Sequence, residues 1–320
     1  DHYLEVPFDL SDVMFITTAN VLDDIPWALR DRMEVIRFPG FTAEEKFQIA
    51  KDYLLPRLLK DHGLKKNQLV FNDKALGSII HSYTYEAGVR SLERELAKVC
   101  RKVVRKLLED KRLKSIVVDK RNLRSFLGPE SFKIDLAEKT DEVGVVTGLA
   151  WTEAGGDILT IEAITIPGKG ALKLTGSLGD VMQESAQAAY SFAKHFTKKS
   201  PRYAIHLHVP SGGIPKDGPS GGIAMATALV SILENRLVKR EIAMSGEVTL
   251  RGRVLEVGGV KEKVLSAYRS GVKVVILPCD NKKNLVDIPK EIRRKLKFVF
   301  VERMEEVLKV ALKGKSRKRR

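Results

Sequence analysis

The run of apolar and polar positions divides the chain into three textures. In the first forty residues DVMFITTAN is an apolar run ending at Asn20, and MEVIRFPG is a second run closed by Pro39 and Gly40. Both read as buried strands, with a short PWALRDR helix between them. Two strands and one helix enclose no core alone, so residues 1–40 are expected to be the end of a larger α/β domain and the least stable part of the chain. From FTAEEKFQIAKDYLLPRLLKDHG the spacing turns helical: Thr42 and Glu45 form a capping box, apolar residues recur every three or four positions, and Gly63 is a plausible stop. FNDKALGSIIHSYT and GVRSLERELAKVCRKVVRKLLED continue the pattern, and SIVVDKRNLRSFLG adds one short strand and one short helix, giving a helical domain over 41–129.

FKIDLAEKTDEV is charged and poor in large apolar residues, which marks 130–142 as a linker. Beyond it the pattern alternates. GVVTGLAWT, DILTIEAITIPG and AIHLHVP read as strands; SLGDVMQESAQAAYSFAKHF and GGIAMATALVSIL read as helices. A strand, helix and strand run from VTLRGRVLEV through KVVILP, and a final helix covers 302–313. The expected fold class is multidomain: a small all-α domain, then an α+β domain over 143–314 and a basic tail at 315–320. A length of 320 residues agrees with more than one domain. No repeat of fixed period is visible.

Composition narrows the function. No run of about 18 apolar residues is present to span a bilayer. The opening DHYLEVPFDL has no initiator Met and no signal-peptide pattern, as expected of a piece of a longer polypeptide. Cys100 and Cys279 are the only cysteines and have no partner motif, which points to a reducing, cytosol-like compartment. HExxH and Cys/His clusters are absent, so no metal is expected. The net charge of +15 is concentrated: residues 90–125 hold thirteen Lys/Arg against five Asp/Glu, and 313–320 hold six more basic residues. A polyanion such as DNA would bind there, although a solvated helix face and tail explain the same charge.

The chemistry concentrates in IPKDGPSGGIAMATALVSIL. Asp217, Gly218, Pro219 and Ser220 favour a turn, and a glycine pair then opens a helix. Ser220 at a helix start stands beside free backbone N–H groups that could receive an oxyanion; the plain alternative is a serine that only caps the helix. GxSxG is absent, which excludes the hydrolase nucleophile elbow. A serine needs a base, and GGVKEKVLSAYRSG offers Lys261 and Lys263 in the first turn of an amphipathic helix. The pattern leaves both open. With Val260, Val264, Ala267 and Tyr268 as the buried stripe, a helical wheel places Lys261 nearer its centre. His206 and His208 share one strand face.

PKDGPSGG followed by MSGEVTLRGRVLEVGGVKEK resembles the proteolytic domain of Lon proteases, and GLAWTEAGGD, LTGSLGDVMQES and the EEVL helix extend the likeness over 143–312. The resemblance implies a Ser/Lys dyad made of the DGPS serine, Ser220, and the second lysine of KEK, Lys263. It further implies that Ser245 orients the lysine and that Glu162, Asp217, His206 and His208 line the site. Gly221 in place of the commoner alanine and Ser245 in place of threonine are small departures. Upstream, DHYLEVPFDLSDVMFITTAN and ALRDRMEVIRFPGFT resemble the end of an AAA+ core, and YEAGVRSLERE resembles the sensor-2 helix of its lid. On that likeness Asn20 is sensor 1, Arg32 the arginine finger and Arg90 sensor 2. The family implies ATP and Mg²⁺ in the full-length protein, a homohexamer, unfolded or degron-bearing protein substrates, and a bacterial cytoplasm or mitochondrial matrix. GxxxxGK[ST] is absent from these residues, so no nucleotide cofactor is expected here. The competing class is a non-catalytic Lon-like module that binds nucleic acid.

Overall fold

A computed structural model describes residues 7, 9–19, 22, 25–36, 38, 40–132, 140–152, 155–168, 170–199 and 202–314. The chain divides into a unit over Asp1–Pro39 and a unit over Gly40–Arg320. In the first, helix α1 is a single turn, Trp27–Arg30. The two expected strands do not form among its described residues: 12–19 and 33–36 are irregular, and none of the described residues before Gly40 is buried. A strand is stable only when its N–H and C=O groups pair with a neighbour, and among the described residues these runs pair with no strand. Met14 and Ile16 are 87% and 85% exposed as a result. Asn20, residues 133–139 of the expected linker and the tail at 315–320 lie outside the described residues.

The second unit holds a helical core and two further cores, one on each face of a sheet. The helical one begins with α2 (Ala43–Ile49), continues through a π-helical turn over Ala50–Leu54 and ends as α3 (Leu55–Asp61). The capping box is present: Thr42 N–H donates to Glu45 Oε2 at 2.7 Å, and Glu45 N–H donates to Thr42 Oγ1 at 3.1 Å. The π turn lies immediately before Pro56, whose ring removes a helical N–H. Strand β1 (Leu69–Phe71), α4 (Asp73–Ser82), α5 (Arg90–Glu109), β2 (Ile116–Val118) and α6 (Leu123–Leu127) complete this part. The short strand expected at SIVVD forms as β2, and it pairs in parallel with β1, a strand the sequence reading did not include. Three residues give β1 too little alternation to stand out in the sequence. Helix α5 buries Leu92, Leu96, Val99, Cys100 and Val103 on one face, and its basic residues occupy the other.

The α+β part is built on a seven-stranded sheet in the order β13-β12-β9-β4-β5-β7-β6. The strands are β4 (Val145–Thr152), β5 (Gly155–Ile166), β6 (Leu172–Thr175), β7 (Ala204–His208), β9 (Ile242–Met244), β12 (Val274–Pro278) and β13 (Lys297–Val301). Short β3 (Glu142–Val143) pairs with β8 (Leu237–Val238). The expected strand at VTLRGRVLEV is instead a tight hairpin, β10 (Glu247–Val248) with β11 (Val254–Leu255), turning through Gly252 at φ 77. Gly252 supplies the positive φ that breaks a continuous strand.

Alternation along the strands decides which helix covers which face. Val146, Ile161, Met244 and Ile276 join a core with α7 (Asp180–Thr197), α8 (Gly222–Glu234) and α11 (Met304–Ala311). Leu149, Ile158, Ala243 and Val275 face the opposite side and pack on α9 (Val260–Arg269) and α10 (Lys290–Lys295). Helix α8 is apolar all round and buried all round, as a helix enclosed between a sheet and other helices must be.

Candidate functional site

The turn that carries Ser220 is assembled from three directions. The loop after β7 is held by Lys216, whose Nζ donates to the carbonyls of Gly176, Ser211 and Ile214 at 3.0, 2.8 and 3.0 Å. Burial lowers the pKa of this amine. Asp217 then turns its carboxylate onto the start of α7, where Oδ1 accepts from Met182 N–H at 2.8 Å and from Gly218 N–H at 2.8 Å. A carboxylate at a helix N-terminus satisfies otherwise unpaired N–H groups and meets the positive end of the helix dipole. Gly179 permits this approach, since a Cβ there would lie 2.4 Å from Asp217 Cγ. Gly218 has φ 113 and ψ 158, a conformation open to glycine, and the chain then enters a 3₁₀ turn over Pro219–Gly221.

Ser220 is half-buried in that turn. Its carbonyl accepts from Gly246 N–H at 2.9 Å and from the Ser245 hydroxyl at 3.2 Å. Ser245 is fully buried at the end of β9, and its N–H donates to Ile276 O at 3.1 Å. The capping positions of the 3₁₀ turn and of α8 are Gly218 and Gly221, neither with a side-chain cap. The Ser220 hydroxyl is therefore not the helix cap that the plain reading of its sequence position suggested.

Lys263 lies in the first turn of α9 and is 2% exposed. Burial lowers its pKa from 10.5 to about 8, against a smaller opposing effect of Glu262. Lys261 is only half-buried. The helical wheel favoured the other lysine because Tyr268 was counted in the buried stripe. The residues actually buried on α9 are Val260, Lys263, Val264, Ser266 and Ala267, which rotates the stripe toward Lys263. The Ser220 turn and α9 both have neighbours on β4.

Glu162, His206 and His208 form a second cluster. Glu162 pairs with His208 across β5 and β7, and His208 pairs with Thr175 across β7 and β6. Thr175 Oγ1 lies 2.7 Å from His206 Nε2 and 2.7 Å from His208 Nδ1. Burial, with Lys173 and His208 adding to it, lowers the His206 pKa. This row stands apart from Lys263: Glu162 is opposite Val145 at the start of β4, whereas Gly156, which touches α9, is opposite Trp151 near its end. Six residue pairs at strand rise correspond to about 20 Å. Sequence reading missed Thr175, Lys216 and Gly156. Only the DGPS turn and the two histidines carried a local signal.

The nucleotide-sensing candidates separate. Arg90 is the exposed first residue of α5, beside Arg94, Lys98 and Arg101, and Arg32 is exposed just after α1 in the other unit. Among the described residues no group of His, Cys, Asp and Glu could hold a metal ion, and no helix is long and apolar enough to cross a membrane.

Comparison with known proteins identifies two family models along the chain, dividing at residues 116 and 117, within β2. Residues 117–314 match the family model of the Lon protease (S16) C-terminal proteolytic domain, and residues 60–116 match that of the Lon protease AAA+ ATPase lid domain. The chain is 54% identical to a Lon protease of Dictyoglomus thermophilum over 98% of its own length and 40% of the relative's. It is 53% identical to Lon protease 1 of Bacillus subtilis, covering 99% of this chain and 42% of that one. With the Lon protease of Clostridioides difficile the identity is 51%, over 98% of this chain and 40% of the relative. The chain thus spans about 40% of the length of the relatives it matches.

Proposed function

The chain belongs to the Lon protease family, and on that premise we propose that it is a serine endopeptidase of the endopeptidase La type, with Ser220 as nucleophile and Lys263 as general base. The burial of Lys263 supports this most, because an ammonium withdrawn from water is readily neutral and a neutral amine can take a proton. In the proposed reaction Lys263 removes the Ser220 proton as Oγ attacks the peptide carbonyl carbon. Backbone N–H groups at the start of α8 receive the oxyanion. The proton passes from Lys263 to the departing amine as the C–N bond breaks, leaving an acyl group on Ser220. Water then gives a proton to Lys263 and attacks the ester, releasing the acid and restoring the serine hydroxyl. Ser245 fixes the Ser220 backbone, and Asp217 anchors the turn to α7. We assign Glu162, His206 and His208 to the support of β7, which leads into the loop bearing Ser220.

For the longer protein of which such a chain is part, the reading is ATP-dependent degradation of unfolded or degron-bearing proteins by a homohexamer in a bacterial cytoplasm. There Asn20, Arg32 and Arg90 would sense nucleotide, and ATP with Mg²⁺ would drive the machine. These residues fit no phosphate cradle, since GxxxxGK[ST] is absent, and no step above runs through nucleotide. DNA binding through the basic face of α5 would be a secondary property, tested by a salt-dependent mobility shift.

The test is cleavage of a fluorogenic peptide and of casein by the wild type, Ser220→Ala and Lys263→Ala. Both variants should be folded and inactive. Turnover retained by Lys263→Ala would transfer the base to another residue, and turnover retained by Ser220→Ala would end the serine-peptidase reading.

A further inference from the structure

Helix α9 meets β5 at a point of closest approach. A Cβ added to Gly156 would lie 1.8 Å from the Glu262 carbonyl oxygen and 2.9 Å from Lys263 N, so the backbone of Gly156 is the surface on which the first turn of α9 rests. The same glycine is gripped from the far end of that helix. Arg269 Nη2 donates to Gly156 O at 2.7 Å. The geometry is natural for a helix, because a side chain leans back toward the N-terminus and Arg269 thereby reaches the level of the first turns. Helix and strand are thus joined at two places around one residue, and the Lys263 backbone belongs to the first of them.

The next residue carries the joint into the helical domain. Tyr85, in the turn between α4 and α5, donates its hydroxyl to Asp157 Oδ2 at 3.0 Å and stacks on Phe132 with ring centroids 5.7 Å apart. That turn is itself fixed. Glu86 accepts from the N–H groups of Ser91 and Leu92 at 2.8 and 2.7 Å, capping α5, and its carbonyl accepts from the buried Lys46 amine. Arg269 sits close to this group: burial lowers the pKa of Lys46 and of His81, and the Arg269 charge adds to both shifts. A series of hydrogen bonds joined through adjacent residues, Glu86 with Tyr85 and Asp157 with Gly156, therefore runs from the start of α5 to α9.

We propose that Arg269 and Tyr85 are positioning residues for Lys263, acting through Gly156 and Asp157 to set how α9 sits on β5. The proposal rests on the peptidase reading above for its consequence in catalysis, but its physical content is the placement of one buried amine. It also gives the turn before Arg90 a direct mechanical line to Lys263, so that a change in the helical domain can alter the base without touching substrate.

The experiment follows the ¹³Cε resonance of Lys263 in ¹³C-lysine-labelled protein as pH is raised, assigned by its loss in Lys263→Met, for the wild type, Arg269→Gln, Arg269→Lys and Tyr85→Phe. In Arg269→Gln and Tyr85→Phe the midpoint should move up by about one unit toward the ordinary lysine value as water reaches the amine. With the fluorogenic peptide, kcat should fall by about ten- to a hundredfold with KM unchanged, as expected of a misplaced catalytic group. Arg269→Lys keeps a cationic donor with longer reach than the glutamine amide and should recover part of both effects. Gly156→Ala should give the largest change, and if it fails to fold the other variants still decide the matter. Unchanged midpoints with unchanged kcat in Arg269→Gln and Tyr85→Phe would overturn the proposal, as would a lowered melting temperature with the midpoint unmoved. The titration uses no substrate, so an inactive wild type would sink the peptidase reading and leave this result intact.

Discussion

The Ser245 hydroxyl donates to the Ser220 carbonyl at 3.2 Å, tying the end of strand β9 to the proposed nucleophile. Gly246 N–H binds the same oxygen at 2.9 Å, so the turn is doubly held. In Ser245→Ala one of these bonds remains. The expected result is a folded protein whose kcat for a fluorogenic peptide drops by about fivefold, the equivalent of one lost hydrogen bond of about 1 kcal/mol. A fall confined to KM would place Ser245 in substrate binding instead.

Burial of Lys263 makes both activity and stability depend on pH. The unfolded chain keeps this proton up to 10.5 and the folded one only up to about 8, so between those values the unfolded state binds more protons and stability rises with pH. Below about 8 the full penalty applies, at most on the order of 3 kcal/mol. Lys263→Met should therefore be inactive yet melt higher than the wild type at pH near 7, with the gap closing toward pH 10.5. Wild-type kcat/KM should climb with pH to a plateau above about 8. A lower melting temperature in Lys263→Met would mean that the amine is not buried in its charged form's disfavour.

Asp217 carries two backbone N–H groups on one carboxylate oxygen. Asp217→Ala leaves the start of α7 uncapped and should cost about 0.5–2 kcal/mol in denaturant unfolding. Asp217→Asn retains an acceptor in the same place and should stay close to the wild type. Equal losses in the two variants would point to the charge rather than the hydrogen bonds.

How far these features could be read in advance depended on whether their cause was local. Thr42 with Glu45, and the apolar run of α8, act within a few residues and were visible as sequence signals. Central strand β9 is three residues, Ile242–Met244, buried on both faces, and so shows no alternation to find. The runs at 12–19 and 33–36 have strand texture but no partner strand among the described residues, and hydrophobicity alone cannot supply one. At the site, Ser220 was signalled by the turn residues before it. Lys263 was separable from Lys261 by family likeness alone, because a wheel weighted by Tyr268 pointed the other way. Gly156 could not be identified at all, since its importance is the nearness of Glu262, 106 positions away in a chain numbered as here.

The central claim is that Lys263 activates Ser220 to form an acyl-enzyme. The direct measurement is acylation by an activated peptide ester under single-turnover conditions, with the modified residue mapped by mass spectrometry across pH. The account predicts an acyl group on Ser220, formed faster as pH rises through about 8 and abolished in Lys263→Ala. An acyl group on another residue, or acylation of Ser220 at the wild-type rate in Lys263→Ala, would contradict it.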